Sequence, residues 1–232
     1  MDDELPRVTL THLRRAETMC RRRLERDLAG VRGHRGPSAR FAVNNRITED
    51  ARVAHTELRA AHVSDFPPPT DLVLEQQRVY RAAAEGYVAL FADRPARAVA
   101  VDPWEAELAD VGMRLVSPLG LALERADGTP EIRSLRIGVA GNRPLIDDAD
   151  RRALVVRAAA WVGERPLRLV AVDLLAGALV EDVLDVAGAL SDARAWIDDR
   201  IALVRERAAD PTPKAGDDCR GCAFVPGCKA HS

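Results

Sequence analysis

Three of the four cysteines in this 232-residue chain, Cys219, Cys222 and Cys228, stand within its last fourteen residues, and the fourth, Cys20, stands near the other end. Cys219-Arg220-Gly221-Cys222 can ligate one centre from a single turn, and Pro226 and Gly227 bend the chain so that Cys228 returns to it. Four thiolates suit either zinc or an iron–sulfur cluster. A lone cysteine far from a CxxC-x5-C triplet is unusual for structural zinc, which more often uses two paired knuckles. If Cys20 supplies the fourth ligand, the two ends must meet, and the simplest fold is one closed domain over 1–232. The alternative leaves Cys20 as an inert buried thiol.

The remaining sequence is that of an ordinary globular chain, 47% hydrophobic and 30% charged. No long apolar run is present, since Leu167–Val180 is cut by Arg168 and Asp173, so no membrane association is expected. Met1-Asp2-Asp3-Glu4 is acidic and no apolar segment of a signal peptide follows, so a reducing cytoplasm is expected. There, closely spaced cysteines are metal ligands or redox groups before they are disulfides. The net charge of −2 hides an asymmetry: Leu5 to Arg46 carries eleven arginines against Glu17, Glu25 and Asp27. Such a segment can bind phosphate locally, or it can be a solvated helix face.

Apolar spacing predicts a helix over 9–29, with Leu10, Leu13, Cys20 and Leu24 on one face. A second helix fits 48–62 with Thr48 as N-cap, and a third fits 71–92 after the Pro67-Pro68-Pro69 break. Short strands are predicted at 97–102, 111–117, 120–125 and 131–138, with Asp127-Gly128 as a hairpin turn. A helix over 147–162, two strands at 167–174 and 178–183 around Ala176-Gly177, and a helix over 186–208 follow. Asp147-Asp148-Ala149-Asp150 reads as the acidic first turn of its helix. The fold class is therefore α/β, with a helical portion over 1–95, an α/β core over 96–208, and a linker and cysteine tail over 209–232.

One cysteine in the first helix, a C-terminal CxxC-x5-C and this order of elements resemble the iron–sulfur RecB-type nucleases of the PD-(D/E)XK superfamily. That group includes the AddB nuclease domain and the CRISPR-associated RecB-like exonucleases. The resemblance implies a restriction-endonuclease-like core sheet flanked by helices, its ends stapled by a four-iron, four-sulfur cluster on Cys20, Cys219, Cys222 and Cys228. It matches His55, in Arg52-Val53-Ala54-His55-Thr56-Glu57-Leu58, to the family's helix histidine, on a face shared with Ala51, Leu58 and His62. Gly120-Leu121-Ala122-Leu123 puts Leu123 where the family has a metal-binding aspartate. Anchored on Gly138, Ser134 falls at the acidic position of the next strand and Arg136 at its lysine. Arg152, Ala153, Val156 and Arg157 supply neither the Gln nor the Tyr of the following helix.

Leucine cannot chelate Mg²⁺ or Mn²⁺, serine is a poor substitute for carboxylate, and arginine does not readily release a proton. Two carboxylates are needed to hold the ions that activate water, so a degenerate site is expected. Glu124 and Glu131 are rescue candidates, but each is displaced by an odd number of residues, which turns a strand side chain to the opposite face. The expectation is a pseudonuclease that binds DNA or another nucleic acid, or acts as a scaffold in repair, defence or regulation. Arg21, Arg22, Arg23, Arg26, Arg32, Arg35 and Arg40 are its phosphate-binding candidates. The alternatives are an active metal-dependent exonuclease with displaced ligands, and a cluster-based redox sensor or subunit that binds a protein partner.

Overall fold

The computed structural model describes residues 5–30, 39–102, 105–138, 144–210, 212, 222 and 228. The fold is α/β, with two mixed sheets. The larger sheet holds β2 (Ala96–Ala98), β5 (Leu121–Arg125), β6 (Pro130–Arg136), β7 (Leu167–Asp173) and β8 (Ala178–Leu184), in the order β2-β5-β6-β7-β8. Only β6 and β7 run parallel in it, joined by the crossover helix α5 (Asp148–Val162). The smaller sheet, β1-β4-β3, is made of β1 (Arg7–Thr9), β4 (Met113–Val116) and β3 (Glu105–Leu108).

Helices cover both faces of the large sheet. Helices α3 (Ala39–Ala54) and α4 (Leu74–Phe91) place Ile47, Ala51, Tyr87 and Phe91 on Leu121, Leu123, Leu135 and Val170. On the other face, α5 and α6 (Val186–Ala209) place Leu154, Ala158 and Ala193 on Ala122, Ile132 and Leu169. The small sheet joins α5, α6 and α1 (Leu10–Arg14) through Val8, Leu13, Leu115, Ile197 and Ile201. Among the described residues no helix is long and apolar enough to cross a membrane.

Several expected elements are present. Asp147 caps α5 by accepting from the Asp150 N–H at 2.8 Å, and Asp148 and Asp150 fill the first turn. The Asp127-Gly128 turn closes the β5–β6 hairpin, with Gly128 at φ +78°. Gly120 immediately precedes β5 at φ +82°, and a Cβ there would lie 2.6 Å from the Arg133 carbonyl oxygen, so no larger residue fits.

Three expectations are corrected. The helix over 9–29 is instead β1, α1 and α2 (Arg21–Leu28), because its apolar residues serve two separate clusters along α6. Leu10 and Leu13 pack with Ile197 and Ile201, whereas Ala16, Met19 and Leu24 pack with Val204. The helix over 48–62 begins earlier, at Ala39, and ends before His55. Thr48 is not its cap but sits inside α3 and donates to the Asn44 carbonyl at 2.8 Å. His55 thus follows α3, and Leu58 faces solvent. Strand β3 was not expected. The tail expected over 209–232, Cys219 included, lies outside the described residues except for Asp210, Thr212, Cys222 and Cys228, and α6 continues to Ala209.

Candidate functional site

Strand β6 decides which candidate residues can meet. Its pleat sends Glu131, Arg133 and Leu135 toward α3 and α4, and Ile132, Ser134 and Arg136 toward α5. Leu123 lies directly opposite Glu131 in the hairpin, so it shares the first face, and Glu124, opposite Pro130, shares the second. The matched set His55, Leu123, Ser134 and Arg136 is therefore split by the sheet. The rescue pair is split too, with Glu131 on one face and Glu124 on the other, where it bonds Arg97 at 2.9 Å. Neither set can hold a single metal ion. Among the described residues no three His, Cys, Asp or Glu side chains converge as a metal site.

The first face holds a sealed polar cluster. Glu131 and Arg133 are both 0% exposed, and the Arg133 Nε donates to Glu131 at 2.6 Å. Arg125 and Arg168 stand 3.5 and 3.4 Å from the second carboxylate oxygen. Arg133 also donates to Tyr87 Oη at 2.8 Å and to the Arg94 carbonyl at 3.2 Å, and it lies over the Phe91 ring at 3.9 Å. His55 is buried beside it. Its Nδ1 faces the carbonyls of Arg59 and Ala96 at 3.1 and 3.0 Å, so that nitrogen carries the proton. Its Nε2 is then an acceptor, 2.8 Å from Tyr87 Oη. Burial and then the charge of Arg133 lower the His55 pKa to about 4, so the ring is neutral at pH 7. Burial likewise raises the Tyr87 hydroxyl to about 12. His55 is thus a structural hydrogen-bonding group, and Leu123 is an ordinary core residue.

The second face opens at the C-terminal end of β6 into a cleft of about 700 Å³. Arg14, Arg15, Arg40 and Arg136 line it with Phe41, Asn44, Asp147 and Asp150. A smaller lobe of about 110 Å³ continues past Asn44 to Thr48, Ser117 and Ser134. The cleft side of α3 is a stripe one turn apart: Arg40, Asn44 and Thr48, with Val43, Ile47 and Ala51 turned to the core. The Arg14 guanidinium bridges both aspartates, 2.9 Å from Asp147 and 2.6 Å from Asp150. Burial works to raise the Asp147 carboxyl, but the hydrogen bonds from Arg14 and the Asp150 N–H outweigh it and leave the group below the usual carboxylate range. Arg136 stands 3.4 Å from Asp150, with its side chain 38% exposed, and Arg40 donates to the Gly138 carbonyl at 3.0 Å. The acids of this cleft are therefore engaged by a cap and a guanidinium.

The remaining predicted arginines divide. Arg21 pairs with Asp210, Arg22 with Glu25 at 3.0 Å and Arg23 with Asp27 at 3.4 Å. These three pin α2 to itself and to the end of α6 and do not line the cleft. Arg26 lies on the same helix, and Arg32 and Arg35 lie outside the described residues. Of the described ones among the seven, Arg40 alone lines the cleft.

Cys20 is half-buried at the N-cap of α2. The end of α6 is held beside it: Arg207 donates to the Met19 carbonyl at 2.9 Å, and Val204 packs on Met19 and Leu24. Eight residues lie between Asp210 and Cys219, enough to reach back to Cys20. That much fits a shared centre, which Cys20, Cys219, Cys222 and Cys228 would hold. Cys222 and Cys228 are half-buried, and none of the three described cysteines forms a disulfide.

Arg14, Arg15, Phe41 and Asn44 were missed as cleft residues. The stripe on α3 becomes readable only when that helix starts at Ala39, and Arg14 and Arg15 arrive from a distant segment with no shared motif. No protein-family model matches this chain, and no curated protein matches it either.

Proposed function

We propose that this chain binds nucleic acid through the arginine-lined cleft and does not cut it. One observation carries the reading: Arg14, Arg15, Arg40 and Arg136 converge on one cleft in which, among the described residues, no carboxylate pair is available for a metal ion. Ser134, in the adjoining lobe, removes a negative charge that would repel phosphate. Arginine is well suited to the site, because its planar fork can bind phosphate with two hydrogen bonds. The split of His55, Glu131 and Glu124 across the sheet argues against the displaced-ligand nuclease.

The reading includes a four-iron, four-sulfur cluster on Cys20, Cys219, Cys222 and Cys228, supported by the place of Cys20 beside the end of α6. When bound, the cluster would staple the chain ends; electron transfer is not part of the reading. Anaerobic purification should give a brown protein with about four irons per chain. One zinc per chain would replace the cluster with the zinc alternative.

Fluorescence anisotropy with labelled single-stranded and duplex DNA tests the binding. Affinity should fall steeply between low and physiological salt, with a slope reporting roughly two to four phosphate contacts. Incubation with Mg²⁺ or Mn²⁺ should leave the DNA intact. Absence of binding at low salt would sink the proposal, and Mn²⁺-dependent cleavage abolished by Glu131→Ala would restore the nuclease reading.

A further inference from the structure

We infer that β8 is a docking edge for a second copy of this chain, whose own β8 adds to it antiparallel across a two-fold axis at Glu181. No β8 residue lines the arginine cleft, so this surface stands or falls apart from the nucleic-acid reading.

The backbone is the first observation. Among the described residues β8 pairs with β7 alone, over seven consecutive positions without a bulge or a proline. The Leu174 N–H donates to the Arg136 carbonyl at 3.0 Å, so even-numbered residues of β7 turn their peptide groups to β6. Its odd-numbered residues then turn theirs to β8. In the register Ala171 opposite Val180, the even-numbered residues of β8 complete that ladder. Leu179, Glu181 and Val183 therefore aim their N–H and C=O groups outward. The Val183 N–H donates to the neighbouring Asp182 carboxylate at 2.8 Å, in agreement with that direction. The opposite edge of the sheet differs: β2 has three residues, and Arg59 already pairs with its Ala96. A long, straight edge is the kind that accepts another strand.

The side chains are the second, independent observation. Val180 is 43% exposed and Val183 66%, and Leu175 in the adjoining turn is exposed as well. Charge normally guards such an edge. Here both acids are engaged within the chain, Glu181 by Arg94 and Arg168, and Asp182 by Arg151 at 3.1 Å.

The strand is also complementary to itself. Antiparallel pairing about Glu181 spans all of β8 and sets every outward residue of one copy against an outward residue of the other. Leu179 meets Val183 twice on the face that packs toward α4, and Glu181 meets its symmetry mate. Two bare carboxylates would repel there, but these two meet among four guanidiniums, Arg94 and Arg168 of each copy. The same guanidiniums would repel a basic strand from another protein.

Sedimentation velocity of the full chain under reducing, anaerobic conditions tests the proposal. Strand addition alone makes a small interface, so the wild type should pass from monomer to dimer with a dissociation constant on the order of 10 µM. Hydrogen exchange should follow, with the Leu179, Glu181 and Val183 amides gaining protection as concentration rises. The Val180 and Asp182 amides, held by β7, should be protected throughout. Val183→Lys puts a charge on the edge and should leave the chain monomeric over the same range. Val183→Pro removes an N–H that the ladder to β7 does not use, and should do the same. Thermal melts of both variants near that of wild type show that the fold is intact, and the exchange pattern of the wild type needs no variant. A chain that stays monomeric at the highest concentration overturns the proposal, including the case in which β8 is kept for a strand of another protein. A dimer that both variants leave intact, without protection at Leu179 and Glu181, overturns it too, because the contact then lies elsewhere.

Discussion

The two faces of β6 carry similar chemistry in opposite circumstances. Toward α3 and α4, Arg133 meets Glu131 with neither side chain exposed; toward α5, Arg136 meets Asp150 at the edge of an open cleft. The buried guanidinium has its donors engaged by Glu131, Tyr87 and the Arg94 carbonyl, and its flat face rests on Phe91. Among the described residues the open one has a single long ion pair, and its side chain is 38% exposed. Burial, more than charge, separates an arginine that holds the fold from one that can hold a ligand.

The largest expected effect breaks the sealed face. Arg133→Met strands Glu131 in the core, where Arg125 and Arg168 approach one oxygen only at 3.5 and 3.4 Å. Removing one partner of a buried pair costs about 3–5 kcal/mol, which lowers the melting temperature by on the order of 10 °C in a chain of this size. Changing Glu131 to Gln in the same chain should return most of it, because no buried charge is left alone. A single variant that melts within a degree of wild type would show that the cluster is not a structural pin.

The contrast between faces explains what could be read from sequence. Local signals were legible: the Asp127-Gly128 turn, the Asp147 cap and the α4 apolar stripe each involve residues close in the chain. Strand parity was legible too, since three residues along a strand turn Glu131 away from Ser134. The start of α3 was not, because Thr48 is as good a cap residue as it is a back-bonding one. The partners of His55 were not legible either: Tyr87 and Arg133 come from two other elements, and only the sheet register brings them together. The cleft fails for the same reason, being assembled from α1, α3, β6 and α5.

A second effect on the sealed face depends on pH. The His55 ring stays neutral when folded down to about 4, whereas the unfolded ring takes a proton near 6.5. Stability is therefore fully present above pH 6.5 and declines as pH falls from there toward 4, because only the unfolded chain gains the proton. The loss over that window is on the order of 3 kcal/mol. Urea titrations at pH 7.5 and pH 5 should record about 2 kcal/mol of it, and His55→Gln should shrink that difference. An unchanged difference would mean that other groups govern this window.

Smaller effects belong to the open face, where affinity should change and stability should not. Arg136→Ala should weaken DNA binding about tenfold and reduce the salt slope by about one, with a melting temperature near wild type. Asp150 keeps Arg14 at 2.6 Å, so no carboxylate is stranded by the change. Equal losses of stability for Arg136→Ala and Arg133→Met would erase the distinction between the two faces.

The smallest effect is the most selective. Asp147 does two things at once: it caps α5 through the Asp150 N–H, and it places a negative charge in the cleft beside Arg14. Asn is as good an N-cap as Asp, so Asp147→Asn keeps the cap and removes only the charge. Stability should move by no more than about 0.5 kcal/mol, the loss being the charge's interaction with the helix dipole. Arg14, still held by Asp150, would then face phosphate with one competitor fewer, and DNA affinity should rise roughly twofold to fivefold at low salt, a gain that fades as salt screens it. Asp147→Ala would lose the cap as well, costing about 1 kcal/mol for the same gain in affinity. If Asp147→Asn leaves affinity unchanged at low salt, phosphate does not enter beside Arg14, and the binding surface must be sought nearer Arg40 and Arg136.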